Sequence, residues 1–238
     1  MQVINTYLTQ TFESSVLALS PTLYLPLQEN VGVTTYLDAT VNGHNGSEKQ
    51  AGHQTNAQTG AYGRRSVKFD GGSLSGITIP QGSGMAVSAS GSEQISVMCI
   101  FKGNGNSGYL VSQDDSGSNR PWASSAQNVL YGFANNQAGP ALYTNTDYRN
   151  DGNFHMFVFT MDDGTNECKH YVDGSATTVL GGVMGPFQAT DGTTPVEIGT
   201  NTLNDFRFDG WMSDVAVWYG HIITQAEVTA MYSKLTAV

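Results

Sequence analysis

The sequence predicts an all-β protein: two antiparallel sheets packed face to face, with a short helical arm before them and one short helix after. Three observations carry that expectation. Apolar residues recur at every second position in short runs bounded by Gly, Asn, Asp and Ser, which is the period of a half-buried strand. Strand-like runs do not alternate with helix-length amphipathic segments, so a parallel βαβ sheet is not indicated. The chain is also poor in charge, with 10 basic and 20 acidic residues among 238 and a net charge of −10. Its polarity comes from uncharged Ser, Thr, Asn and Gln, and its 28 glycines suit many turns.

The elements follow in order. Ile4, Leu8, Phe12 and Val16 recur at i+4 beside Tyr7, and Ser20-Pro21 ends the run, so residues 1–21 read as a helical arm. Residues 22–238 read as one β domain. Residues 23–25 and 66–69 are strand candidates. Residues 93–102 place Ile95, Val97, Cys99 and Phe101 on one face, with Ser96 and Met98 on the other. Residues 154–161 and 167–172 are expected to form a hairpin around Asp162-Asp163-Gly164. Residues 208–219 form another strand, carrying Trp211, Val215 and Val217. Thr224 followed by Glu227 is a capping box that opens the final helix, with Val228 and Met231 on its apolar face. Residues 42–62 and 112–125 are expected to be exposed loops, and Gly103 to Gly108 a hairpin loop. Many short strands with frequent turns argue for a sandwich or jelly roll.

Composition also excludes. The acidic balance has the wrong sign for a nucleic-acid binder, which needs cations to displace phosphate counterions. There is no run of about 20 apolar residues to span a membrane. Residues 1–6 carry no basic n-region, which points to synthesis in a cytosol. Cys99 and Cys168 lie in strand-like runs and are expected to be buried thiols.

The order of short motifs resembles one family. Leu23-Tyr24-Leu25-Pro26-Leu27 leads to Leu37-Asp38-Ala39-Thr40-Val41-Asn42-Gly43-His44-Asn45-Gly46. Ser66-Val67-Lys68-Phe69-Asp70-Gly71 follows, then Phe154-His155-Met156-Phe157-Val158 and Tyr171-Val172-Asp173-Gly174. Phe208-Asp209-Gly210-Trp211-Met212-Ser213-Asp214-Val215 and the helix after Thr224 close the series. Together these resemble the laminin-G-like domains of the concanavalin A-like superfamily, across roughly residues 22–233. The resemblance implies a two-sheet antiparallel jelly-roll sandwich. The family holds lectins, adhesion modules, hydrolases, lyases and viral structural proteins, so the fold alone does not name a function.

The glucanase branch places paired carboxylates on one strand, and no Glu-x-Asp-x-x-Glu triplet occurs here, so no catalytic residue is expected. The five histidines lack metal-ligand spacing. The resemblance implies a calcium site at Asp38 and Asp214, helped by Asn42 or the His44 carbonyl, with Asp114-Asp115 as a second candidate. Sugars stack on aromatic faces. Trp122, in Arg120-Pro121-Trp122, is therefore the first candidate for carbohydrate contact, followed by Tyr143 and Tyr148.

The expected function is a non-enzymatic one. A module of this kind resembles those of tailed-bacteriophage structural proteins. The expectation is a virion protein made in the host cytoplasm: a capsid decoration or tail-associated protein that stabilises the particle or adheres weakly to glycans. Its expected partners are capsid or tail proteins, host-surface glycans and copies of itself on the particle. The alternatives are a cell-associated lectin or adhesion module and a glycan-active hydrolase or lyase.

Overall fold

Two long strands set the frame. β7 (Gln94–Gly103) and β16 (Asp209–Tyr219) lie side by side at the centre of the first sheet of a computed structural model. The structure describes residues 12–30, 32–49, 54–57, 60–72, 75–88, 90–106, 108–114, 121–126, 129–134, 142–144, 146–178, 187–190 and 192–237. On one side of this pair stand β12 (His155–Asp162), β13 (Glu167–Val172) and β14 (Ser175–Ala176). On the other are β5 (Ser66–Asp70) and β4 (Gln54–Ala57). β1 (Leu23–Leu25) also pairs with β16, facing residues 215–217, whereas β5 faces residues 209–212.

The second sheet runs in the order β11 (Leu142–Tyr143), β10 (Leu130–Ala134), β9 (Trp122–Ala126), β8 (Gly108–Gln113), β15 (Val196–Ile198), β6 (Ile77–Ile79), β3 (Gly46–Glu48) and β2 (Thr35–Tyr36). The pairings in both sheets are antiparallel. The expected two-sheet jelly-roll sandwich is therefore the architecture. The alternation in residues 93–102 works as expected. Ile95, Val97, Cys99 and Phe101 enter the core between the sheets, and Met98 packs on the outer face.

Several expectations need correction. Residues 42–62 and 112–125 are not simply loops, because β3, β4, the end of β8 and most of β9 lie in them. β9 reads Trp-Ala-Ser-Ser-Ala, with too little apolar alternation to announce a strand; its neighbours on both sides supply the order. The Gly103 to Gly108 segment is not a hairpin, since β7 and β8 belong to different sheets; it crosses between them. In the β12–β13 hairpin, Asp162 pairs with Glu167, and the left-handed residue is Asn166 (φ 54°) instead of Gly164. The β13–β14 turn does use its Asp-Gly: Asp173 (φ 51°) and Gly174 (φ 81°) form the two-residue link that matches strand twist.

The outer face of the first sheet is covered at both ends of the chain. Helix α1 (residues 12–17) lays Phe12 and Val16 on it; the rest of the expected arm lies outside the described residues. Helix α2 (Gln225–Thr236) adds Val228, Met231 and Leu235, and both helices share a second apolar layer with Met98, Ile100, Met156 and Trp218. Each such side chain contributes roughly 1.5–3 kcal/mol of burial. The Thr224 cap is as expected, with the Thr224 hydroxyl accepting from the Glu227 amide and Glu227 Oε2 accepting from the Thr224 amide at 2.7 Å.

Candidate functional site

The second sheet offers a different outer face. Strand register places Tyr109 opposite Ser125, Ser125 opposite Tyr131, and Tyr131 opposite Tyr143. These four residues form one row across β8, β9, β10 and β11. Facing positions on neighbouring strands bring side chains to contact distance. The Tyr131 and Tyr143 rings are 5.7 Å apart between centroids, and Phe206 meets Tyr109 edge-on at the same separation. Phe206 is 58% exposed, Tyr131 and Tyr143 are half-buried, and Tyr109 is buried.

The next row on this face has smaller side chains beside the tyrosines. Ala123 faces Ser112, Ser112 faces Glu197, and Glu197 faces Thr78. Ala123 and Ser112 are fully buried, and the loop after β15 is fastened over this row, with Ser112 Oγ donating to Thr200 O at 3.0 Å. Glu197 is buried; its Oε1 pairs with Lys49 Nζ at 3.1 Å and its Oε2 accepts from Thr78 Oγ1 at 2.9 Å. Burial pushes its carboxyl up to about 7, with Lys49 and Thr78 pulling the other way. Lys49 Nζ also donates to Asn201 O and Asn204 Oδ1, which ties the 201–207 segment and exposed Leu203 and Phe206 to this rim.

Trp122 does not have the expected place. It is wholly buried at the start of β9, with its ring against Phe159 and Tyr219 and its Nε1 donating to Gln113 Oε1 at 3.1 Å. It points between the sheets and is not an exposed platform. Tyr143 belongs to the row. Tyr148 does not; it leans edge-on against His155, with centroids 5.0 Å apart. Sequence reading missed Tyr109, Tyr131 and Phe206, because only register across four strands shows that they share a face.

The calcium candidates are brought to one residue but not to one cage. Asp38 Oδ1 accepts from the Tyr24 and Thr40 amides, and its Oδ2 from Thr40 Oγ1 and the His44 amide. It closes a turn. Asn42 Nδ2 donates to Thr22 O. Asp214 is fully buried and accepts from Arg64 Nε and Nη2 at 2.7 Å each, and from the Tyr24 hydroxyl at 2.7 Å. The Arg64 guanidinium takes the side a cation would need, so these residues do not fit calcium. Asp114 is buried and Asp115 lies outside the described residues. Among the described residues no three His, Cys, Asp or Glu side chains cluster to hold a metal.

One further titrating group lies near the end of the core. His155 Nδ1 is 2.7 Å from Asp173 Oδ2 and Nε2 is 2.8 Å from Asp151 Oδ2. Burial lowers its pKa, but the two carboxylates outweigh that and the net shift is upward. Its charge then stabilises the fold below the ordinary histidine range, and that stability is lost as pH rises through the folded pKa. Thermal melts of wild type and His155→Gln are expected to differ most near pH 5.5 and least near pH 9. A gap independent of pH would show that the imidazole is not charged.

A laminin-G-type family model, described as the concanavalin A-like lectin/glucanases superfamily, matches residues 80–229. The chain belongs to that superfamily. A comparison with curated protein sequences finds no match. Among solved structures, domain 4 of AbnA, an extracellular arabinanase from Geobacillus stearothermophilus solved with arabinotriose, is similar. The identity is 19% and the TM-score 0.63, over 89% of this chain and 98% of that one. The botulinum neurotoxin serotype G binding domain is similar at 15% identity and a TM-score of 0.64, over 90% of this chain and 51% of that one. The serotype D ligand binding domain, solved with N-acetylneuraminic acid, gives 12% identity and 0.63, over 92% and 52%. The chain thus spans about half the length of the neurotoxin domains. At these identities the likeness is one of fold.

Proposed function

We propose that the chain is a non-catalytic carbohydrate-binding domain whose contact face is Tyr131 and Tyr143 on the second sheet together with exposed Phe206, which packs on buried Tyr109. The observation that carries this reading is the register that aligns Tyr109, Tyr131 and Tyr143 on one face across β8 to β11, beside the exposed ring of Phe206. Aromatic faces take the C–H side of a sugar ring, and phenol hydroxyls bond to its rim. The similar AbnA domain was solved with arabinotriose and a similar toxin domain with N-acetylneuraminic acid, which supports a sugar as the ligand class. A binding role also suits Glu197, whose two oxygens are already engaged by Lys49 and Thr78.

A glycan array is expected to return weak neutral-sugar binding that survives a chelator, since the Asp38 and Asp214 carboxylates are otherwise engaged. Tyr143→Ala and Tyr131→Ala should each weaken it by roughly tenfold, about 1.4 kcal/mol, while leaving the melting temperature within a few degrees. An array without hits, or hits unmoved by both changes, would remove the face from consideration.

The setting we propose is the surface of a tailed-phage particle, on head or tail, as the motif order resembles modules of such virions. The domain would then decorate the particle and add weak adhesion. Mass spectrometry of purified particles is expected to find the chain there, and its absence would end this reading of the setting.

A further inference from the structure

The outer face of the first sheet carries a second aromatic row, beyond the area covered by the helices. Register places Lys68 opposite Trp211 and Trp211 opposite Lys102, across β5, β16 and β7. Phe154 follows on the next strand position, just before β12. Lys68 Nζ stands 4.4 Å from the Trp211 ring centroid and Lys102 Nζ 5.4 Å from the same ring; Lys102 Nζ is also 5.9 Å from the Phe154 centroid. All four side chains are partly exposed.

The charge balance here is unlike the rest of the molecule. The chain has only 10 basic residues against 20 acidic ones, yet two of the ten share one indole. Lys68 is neutralised by Asp209, which also accepts from Asn104 Nδ2. Lys102 has no carboxylate at ion-pair distance among the described residues; its contacts are the two rings. Attraction to a ring face at an exposed site is weak and leaves the ammonium's donors free for an anion. A carboxylate can accept from Lys102 in a charge-assisted bond, while a flat apolar ring face covers Phe154 and the edge of Trp211.

We infer that Lys102, Trp211 and Phe154 form a second binding site, for a saccharide that carries a carboxylate. The site lies on the opposite side of the sandwich from the tyrosine row and does not depend on it. A ligand that reached both faces would be held more tightly than by either site alone, which offsets the weakness of each.

The ring itself supplies the readout. The chain has three tryptophans, and Trp122 and Trp218 are fully buried, so a ligand that changes tryptophan emission at the surface acts on Trp211. Titration of the full chain with trigalacturonate at low salt is expected to give a saturable emission change. Lys102→Gln, on an exposed strand face, should raise the half-saturation concentration roughly tenfold without moving the melting temperature, and Tyr143→Ala should leave it unchanged. The methyl ester of the same trimer, alike in shape but uncharged, should give no saturable change. Equal response to acid and ester, indifference to Lys102→Gln, or no saturable response to the acid would each overturn the assignment. Loss of response in Tyr143→Ala alone would assign acid binding to the other face.

Discussion

Replacing Asp214 with asparagine is expected to destabilise the protein by about 3–5 kcal/mol, lowering the melting temperature by roughly 6–20 °C. The reason begins with a break in the register of β16 against β7 between Ser213 and Ala216. At that bulge Asp214 adopts φ 53°, and its side chain lies fully buried. There it meets Arg64 through two hydrogen bonds and the Tyr24 hydroxyl through a third. Arg64 also reaches Glu13 on α1 at 2.8 Å and stands over the Phe12 ring. One carboxylate therefore joins β1, β16, the segment before β5 and the first helix. Asparagine accepts the left-handed backbone and can still accept from Tyr24, so its main defect is that the buried guanidinium loses its charged partner in the core and keeps only Glu13 near the surface. Adding Arg64→Met to Asp214→Asn should then cost much less than Arg64→Met alone, since no buried charge is left without a partner. Chemical denaturation of the four proteins measures this, and additive losses would contradict a coupled pair.

The second large effect is expected at Trp122. Trp122→Ala should cost about 3–5 kcal/mol, because the ring fills the core between the sheets against Phe159 and Tyr219. Trp122→Phe should cost less. It gives up the indole bond to Gln113 Oε1, but that oxygen keeps the Tyr219 hydroxyl at 2.9 Å, so no buried acceptor is orphaned. Urea unfolding followed by circular dichroism gives both values. If Trp122→Ala kept its stability and lost sugar binding, the ring would have to be a surface contact, contrary to its burial.

These two residues show where local pattern informs and where it stops. The β7 alternation, the Asp173-Gly174 turn and the Thr224 cap are visible in the chain because each rests on neighbours within a few positions. Trp122 stands in a stretch of Pro, Ala and Ser that reads as a polar loop, and its burial comes from strands distant in sequence. Asp214, read from its motif, is a carboxylate that suits a cation. Its true partner, Arg64, is 150 residues away and carries no motif. The tyrosine row is the same case three times over. Each of Tyr109, Tyr131 and Tyr143 is unremarked alone, and only pairing across β8 to β11 places them on one face. Sequence period tells which side of a strand a residue takes, but not which strands will stand next to it.

β16 also has a consequence in time. β1, β5 and β7 all pair with it, and it is the last strand of the chain. A ribosome adding about 5–20 residues per second needs roughly 10–40 s to pass from Leu25 to Val217. In that interval β1, β5 and β7 are made in turn, and each leaves open the edge that β16 will take. Such edges are templates for pairing with other chains. The whole chain carries ten net negative charges, and their mutual repulsion keeps copies apart as β16 joins its partners.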